Sequence, residues 1–207
     1  MSNESASRNK GNKKTNRRTL ILLLIVMVAP IVASYALYFW NVRPSSVNYG
    51  ELLEVKPLGG TALNQSDNTI FRIRQLRGKW ALISVDSGKC DEECRKKLYY
   101  MRQVRLIQNT EKERIERVWL IDDGEAPSPG VVKDFEGVWL INAKDSDLLK
   151  ALPAKESIHD HIYLVDPIGN LMMRFPKNPD PARIAKDIKR LLKVSQLEHA
   201  MGTDQKH

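Results

Sequence analysis

The chain has 207 residues and a formal net charge of +8, which is enough length for one domain of ordinary size plus additional segments. Much of the charge lies in residues 1–18, which hold six basic side chains and one acidic one, so the remainder has 27 basic and 24 acidic side chains. A nucleic-acid-binding domain is expected to cluster basic residues on a folded face. The distribution therefore argues against nucleic acid as a partner.

An uncharged, apolar run follows the basic segment at residues 19–40. At about 1.5 Å per residue it spans roughly 30 Å, the hydrocarbon thickness of a bilayer. Tyr35, Tyr38 and Trp40 lie near its C-terminal end, as in an aromatic belt. A cleaved signal peptide would have a shorter apolar region and a small-residue cleavage site. We therefore predict an uncleaved transmembrane helix.

The basic segment also predicts the orientation of this helix. By the positive-inside rule the N-terminus is cytoplasmic and the C-terminal part lies on the other side of the membrane. We expect a single-pass protein of a bacterial inner membrane, with its C-terminal domain in the periplasm.

Regular hydrophobic patterns begin after a lead-in and predict alternating strands and helices. The predicted strands are 69–74, 80–86, 115–121, 138–141, 161–166 and 170–175, and the predicted helices are about 91–108, 130–136, 145–152 and from 181 onward. This order predicts a mixed central sheet with helices on both faces. The fold class is therefore α/β, with a thioredoxin-like architecture preceded by one transmembrane helix.

Five segments follow from these patterns. They are a disordered basic cytoplasmic tail (1–18), the transmembrane helix (19–40), an extended lead-in (41–66), the thioredoxin-like domain (67–195) and a polar C-terminal tail (196–207).

The two cysteines of the chain, Cys90 and Cys94, follow the predicted central strand and open the next helix. In an oxidising compartment such a pair can be a structural disulfide, a redox pair or a metal site. The loop that a bridge would close is minimal, so a purely structural bridge would gain little. Helical residues four apart share a face, so the two sulfurs can form a disulfide or converge on a soft ion such as Cu(I).

Two histidines, His159 and His161, precede the predicted hairpin strand, and an imidazole is a suitable third donor for copper. His161 is the first choice because it abuts the strand directly, and His159 is the alternative. Asp122 and Asp123 end another strand near the same edge of the sheet, where a turn role is favoured.

These motifs resemble the Sco/SenC proteins, the membrane-anchored thioredoxin-fold factors of cytochrome c oxidase assembly. The matching pieces are the anchor, Gly78-Lys79 before the central strand, the Cys-x-x-x-Cys pair and a histidine just before the run Ile162–Gly169. Asp91 stands where the family usually has proline after the first cysteine, which indicates a divergent member.

The resemblance implies copper held by Cys90, Cys94 and His161, or His159 in its place. It also implies an oxidase subunit or its assembly factors as partners, and delivery of copper as the function.

Two alternatives remain open. One is a periplasmic thiol–disulfide oxidoreductase, in which Cys90 and Cys94 are the catalytic redox pair that reduces cysteines of a partner. The other is a non-catalytic assembly scaffold. The sequence contains no phosphate loop, paired catalytic carboxylates or four-ligand zinc motif. Any enzymatic activity is therefore expected to be thiol chemistry.

Overall fold

A single long helix, α1 (Lys13–Phe39), makes up the described part of the N-terminal unit. The computed structural model describes residues 13–39 and 48–204 and divides the chain into two compact units, residues 1–46 and 47–207. Within α1, the 20 residues Arg17–Ala36 are long and apolar enough to cross a membrane, and none of that stretch is buried. A helix with exposed apolar side chains all round is suited to a lipid environment.

The helix begins six residues before the predicted transmembrane span. Residues 13–18 of the predicted disordered tail are therefore helical, because lysine and arginine are good helix formers that can extend an adjacent helix. Residues 1–12 of that tail, Trp40 at the end of the predicted span and residues 41–47 of the lead-in lie outside the described residues.

The C-terminal unit contains one eight-stranded mixed sheet. Its strands are β1 (Glu51–Pro57), β2 (Ala62–Asn64), β3 (Ile70–Phe71), β4 (Trp80–Asp86), β5 (Ile115–Ile121), β6 (Trp139–Asn142), β7 (Ile162–Val165) and β8 (Asn170–Arg174). Their order across the sheet is β1-β8-β7-β4-β5-β6-β2-β3. β4, β5 and β6 are parallel, and the remaining neighbours are antiparallel.

Helical segments cover both faces of this sheet, as predicted. The helices are α2 (Glu92–Ile107), α3 (Pro129–Asp134), α4 (Asp147–Lys150) and α5 (Pro181–Asp204). Because strand residues alternate between faces, Trp80 and Leu82 of β4 pack with α2 and α5, whereas Ile83 and Val85 pack on the other side. That other side is closed by α4, by a 3-10 turn at Ile73–Leu76 and by β3.

Three parts of the C-terminal unit differ from the sequence prediction. The lead-in supplies two strands, of which β1 is an edge strand with mostly exposed residues and hence no alternating pattern to recognise. The predicted strand 69–74 is shortened to β3, because the 3-10 turn takes its second half. Finally, α5 continues to Asp204 and so includes most of the predicted tail.

The predicted hairpin turn between β7 and β8 is present. Gly169 donates its backbone N–H to the carbonyl oxygen of Asp166 at 3.0 Å, and Gly169 has a φ of 101°, which a residue with a side chain rarely adopts. The Asp166 carboxylate accepts backbone N–H groups from Ile168, Gly169 and Asn170. The turn thus fixes the hairpin whose first strand follows His161.

Candidate functional site

A disulfide joins Cys90 and Cys94, whose Cα atoms are 5.1 Å apart. Both side chains are buried: Cys90 is 4% exposed and Cys94 is fully enclosed. Cys90 lies two residues before α2 and has a φ of 47°, in the left-handed region. The expectation that both cysteines occupy one helical face is therefore wrong for Cys90, because the helix begins only after it.

Asp91 is the residue that sets this helix start. Its carboxylate accepts the backbone N–H of Cys94 at 2.9 Å, which is the hydrogen bond of a helix N-cap. Cys94 consequently sits in the first turn of α2, where the helix dipole favours a thiolate. Glu92 and Glu93 occupy the same turn, and their negative charges disfavour a thiolate at Cys94 by repulsion. Asp91, which replaces the usual proline of the Sco motif, thus has a definite local role as the cap.

The loop between β4 and α2 is held against the loop that follows β5. The Gly88 N–H donates to the Asp123 carboxylate at 3.1 Å, and Glu125 donates to the same oxygen at 3.0 Å. Burial alone would raise the pKa of Asp123, but hydrogen bonds from Ser87, Gly88 and Glu125 outweigh it and lower the pKa. Gly88 is required here, since a Cβ atom would lie 2.0 Å from the Glu125 carbonyl oxygen.

A buried ion pair lies next to the cysteines. The Lys97 Nζ atom is 2.7 Å from the Asp86 carboxylate, and each side chain is 9% exposed. Lys97 also donates to the carbonyl oxygens of Val85 and His159. Burial raises the pKa of Asp86 from 3.8 to about 6, although the nearby ammonium of Lys97 opposes this. The second carboxylate oxygen of Asp86 is buried and has no hydrogen-bond partner in the described part of the chain.

The two histidines have different surroundings. His159 lies in a 3-10 turn, half exposed, with its Nε2 atom 2.7 Å from the Asp122 carboxylate. His161 follows that turn, and its Nδ1 atom is 2.8 Å from the Phe175 carbonyl oxygen. Because a carbonyl oxygen can only accept, the Nδ1 atom of His161 is the donor in this contact.

A cavity of about 410 Å³ joins several of these groups. Its lining includes Cys94, Asp86, Lys97, His159 and Tyr100. One of the two predicted cysteines, Cys94, and one of the two predicted histidines, His159, thus line a common cavity, and the buried ion pair lines it as well. His161 instead packs against the Tyr163 ring, with the ring centroids 5.8 Å apart.

While Cys90 and Cys94 are joined in a disulfide, the site does not fit copper. The two sulfurs are bonded to each other and hold no thiolate, which is the ligand that Cu(I) favours. Across residues 13–39 and 48–204, no three side chains from His, Cys, Asp and Glu converge closely enough to hold a metal ion.

Sequence reasoning missed the Asp86–Lys97 pair, although a signal for it exists. Lys97 falls on the buried stripe of α2 that also contains Cys94, Leu98 and Met101. A lysine on a buried stripe needs an acidic partner. Asp86 at the end of the fully buried β4 is the obvious candidate.

The sequence itself supports a family assignment. A family model described as "transmembrane-like, thioredoxin-like, C-terminal domain" matches residues 80–195, more than half of the chain. The chain belongs to this family. No curated protein matches it in sequence.

Several solved structures are similar to this chain at low sequence identity. Copper-bound yeast Sco1 is 18% identical, with a TM-score of 0.50, over 73% of this chain and 94% of that one. A SCO1/SenC family lipoprotein from Bacillus anthracis is 20% identical over 72% and 98%, with a TM-score of 0.48. The thioredoxin domain of a thiol-disulfide oxidoreductase from Bacteroides vulgatus is 16% identical over 68% and 99%, with a TM-score of 0.49. The match to yeast Sco1 supports the Sco-like, thioredoxin-like fold and no more.

Proposed function

We propose that this protein is a membrane-anchored thiol–disulfide exchange protein, with Cys90 and Cys94 as its redox couple. The observation that carries the proposal is their disulfide at the start of α2, beside the buried pair of Asp86 and Lys97. As a structural bridge it would close a loop of about five residues, for which the chain-entropy estimate is only about 2 kcal/mol. A structural bridge does not need ionisable groups beside it, whereas a redox pair can use Asp86 and Lys97 in proton transfer and charge stabilisation.

The exchange proceeds in two steps from the reduced form. The thiolate of Cys90, the less enclosed of the two, attacks one sulfur of a disulfide in the partner, and the other partner sulfur leaves as a thiolate. The thiolate of Cys94 then attacks the Cys90 sulfur and releases the second partner thiolate. The partner gains two electrons, and the Cys90–Cys94 disulfide is formed. A dithiol donor in the same compartment must reduce it again.

Asp86 is placed to handle the proton of Cys94. Asp86 lines the same cavity as Cys94, and one oxygen of its carboxylate is buried without a hydrogen-bond partner in the described structure. A pKa of about 6 lets this group accept a proton near neutral pH and return it later. Lys97 holds the carboxylate in place through one oxygen and leaves the other for this task.

The proposed location and partner rest on the sequence. The basic segment at residues 1–18, which precedes the apolar run, supports a cytoplasmic N-terminus, and hence a C-terminal domain on the periplasmic side of a bacterial inner membrane. The Sco-like motifs support a cytochrome c oxidase subunit, or an assembly factor for it, as the partner whose disulfide is reduced.

Trapping of a mixed disulfide tests this function. The reduced full chain, held in detergent, is incubated with a peptide disulfide that matches the cysteine pair of an oxidase subunit. We expect the parent to reduce the peptide, Cys94→Ser to accumulate the mixed disulfide through Cys90, and Cys90→Ser to react at least tenfold more slowly. If the parent leaves the peptide oxidised, or if a double Cys→Ser variant still supports oxidase assembly in cells, the redox proposal is wrong and the scaffold alternative is favoured.

Copper delivery is the second candidate, and one observation favours it. His161 donates its Nδ1 proton to a backbone carbonyl and presents Nε2, as metal-binding histidines commonly do. In contrast, Nε2 of His159 is engaged by Asp122. Copper would be cargo that binds only after the disulfide is reduced.

The test is a competition titration of the reduced full chain with Cu(I). If copper is cargo, His161→Ala should weaken binding about tenfold or more, and His159→Ala should change it little. If neither histidine variant and neither Cys→Ser variant differs from the parent, specific copper delivery is ruled out.

A further inference from the structure

A second site lies on the same side of the sheet as α2, centred on Arg117 of β5. This arginine is 5% exposed and shares its strand face with Ile115 and Trp119, which pack toward α2. Its Nη2 atom donates to the Glu136 carbonyl oxygen at 2.7 Å. Its Nε and Nη1 atoms are buried, and among the described residues they have no hydrogen-bond partner.

Two other arginines lie close enough to repel this guanidinium. Burial, together with repulsion from Arg105 and Arg102, lowers the pKa of Arg117 from 12.5 to about 10, with partial opposition from Glu116. The Glu116 carboxylate is itself paired with Lys79. A buried cation that has two unused donors and no carboxylate of its own is costly unless something compensates it.

Arg117 lines a groove of about 710 Å³ at the C-terminal half of α2. Four basic side chains and two acidic ones border this groove: Arg102, Arg105, Arg117 and Lys133 against Asp134 and Glu136. Of the acids, Asp134 is already held by Arg95, with Nη1 and Oδ2 3.3 Å apart. Arg105 is eleven residues beyond Cys94, about 16 Å along the helix, so the groove is separate from the cysteine site.

We propose that this groove binds a phosphate-class oxyanion over Arg117. A guanidinium offers paired donors that match such an oxyanion, and Arg102 and Lys133 in the groove lining add positive charge that attracts it. The anion offsets the net positive charge of the groove, and it gives the unused donors of Arg117 acceptors once the Glu136–Gly137 segment, which lies against the guanidinium, adjusts. The phosphate can come from a soluble ion or from a lipid headgroup.

Thermal unfolding of the full chain in detergent tests this site. Inorganic phosphate is titrated into phosphate-free buffer, with sodium chloride at matched ionic strength as the reference. We expect the parent to show a saturable rise in unfolding temperature with phosphate but not with chloride, and Arg117→Met to weaken phosphate binding by about tenfold or more. Arg174→Met is the matched control, because Arg174 is equally buried but paired with Glu51, and it should keep the phosphate response.

Two further arms keep the test decisive. If Arg117→Met does not fold, Arg102→Gln on the exposed groove wall should weaken phosphate binding several-fold. To detect a headgroup, hydrogen exchange of residues 133–137 is compared between nanodiscs of phosphatidylcholine alone and nanodiscs that also contain phosphatidylglycerol. A response to soluble phosphate identifies a free ion, and protection by phosphatidylglycerol alone identifies a headgroup. If neither responds, or if the Arg117 and Arg102 variants respond as the parent does, the site does not exist.

Discussion

Replacing Lys97 with methionine tests whether the buried pair beside the cysteines is an energetic centre of the fold. The change keeps most of the apolar stem but removes the ammonium that contacts the Asp86 carboxylate at 2.7 Å and two backbone carbonyls. Breaking a buried pair by removing one partner typically costs about 3–5 kcal/mol. We expect about 3 kcal/mol at pH 7.5, because the Asp86 carboxyl can lessen the cost by taking up a proton.

The loss should also depend on pH. Lys97 opposes the rise in the pKa of Asp86, so without it that pKa moves above 6. At pH 5 the carboxyl is then mostly protonated in parent and variant alike, and the difference in stability should be smaller than at pH 7.5.

Urea unfolding of the full chain in detergent, followed by tryptophan fluorescence, measures both effects. Lys96→Met is the matched control, since Lys96 is the preceding residue, its side chain is 38% exposed and its Nζ atom lies 3.8 Å from the Glu93 carboxylate. This control should change the free energy of unfolding by no more than about 0.5 kcal/mol. If Lys97→Met is no more harmful than Lys96→Met at pH 7.5, or if its effect is the same at pH 5, the argument for the pair is refuted.

Three further substitutions probe the site by the same assay. Asp86→Asn removes a carboxyl whose pKa is raised from 3.8 to about 6, which makes parent stability fall relative to the variant by roughly 3 kcal/mol as pH rises from below 3.8 through 6; an equal pH profile would contradict this. Gly88→Ala should cost about 1–3 kcal/mol, because its Cβ would meet the Glu125 carbonyl at 2.0 Å, and an unchanged urea midpoint would disprove the close packing. Asp91→Ala should cost about 1 kcal/mol through loss of the cap on Cys94, whereas Asp91→Asn should retain most of it.

The central part of the fold follows directly from the sequence because its signals are local. β4 and β5 have the predicted bounds, since their apolar runs end at charged or turn residues. The hairpin turn is recognisable because its Asp-Pro-Ile-Gly sequence suits one turn geometry. In contrast, β1 is mostly exposed and, among the described strands, pairs with β8 alone, so its existence depends on a partner strand between 113 and 123 residues away and not on its own pattern.

The candidate site was predictable only in part, for a similar reason. The cysteines can be recognised from their type and spacing. Their burial and the left-handed backbone of Cys90, however, depend on how Asp91 caps the helix. The choice between His159 and His161 depends on Asp122 and on the Phe175 carbonyl, which other strands bring to them. Such long-range contacts cannot be predicted from the residues around each histidine.

The redox equilibrium of the native pair is the most direct test of the proposed function. The full chain in detergent is equilibrated with thiol–disulfide buffers of graded potential, and free thiols are counted by alkylation and mass spectrometry while tryptophan fluorescence reports folding. The account predicts that Cys90 and Cys94 pass reversibly between disulfide and dithiol in the folded protein. If the disulfide yields only when the protein unfolds, it is a structural bridge and the proposed function is wrong.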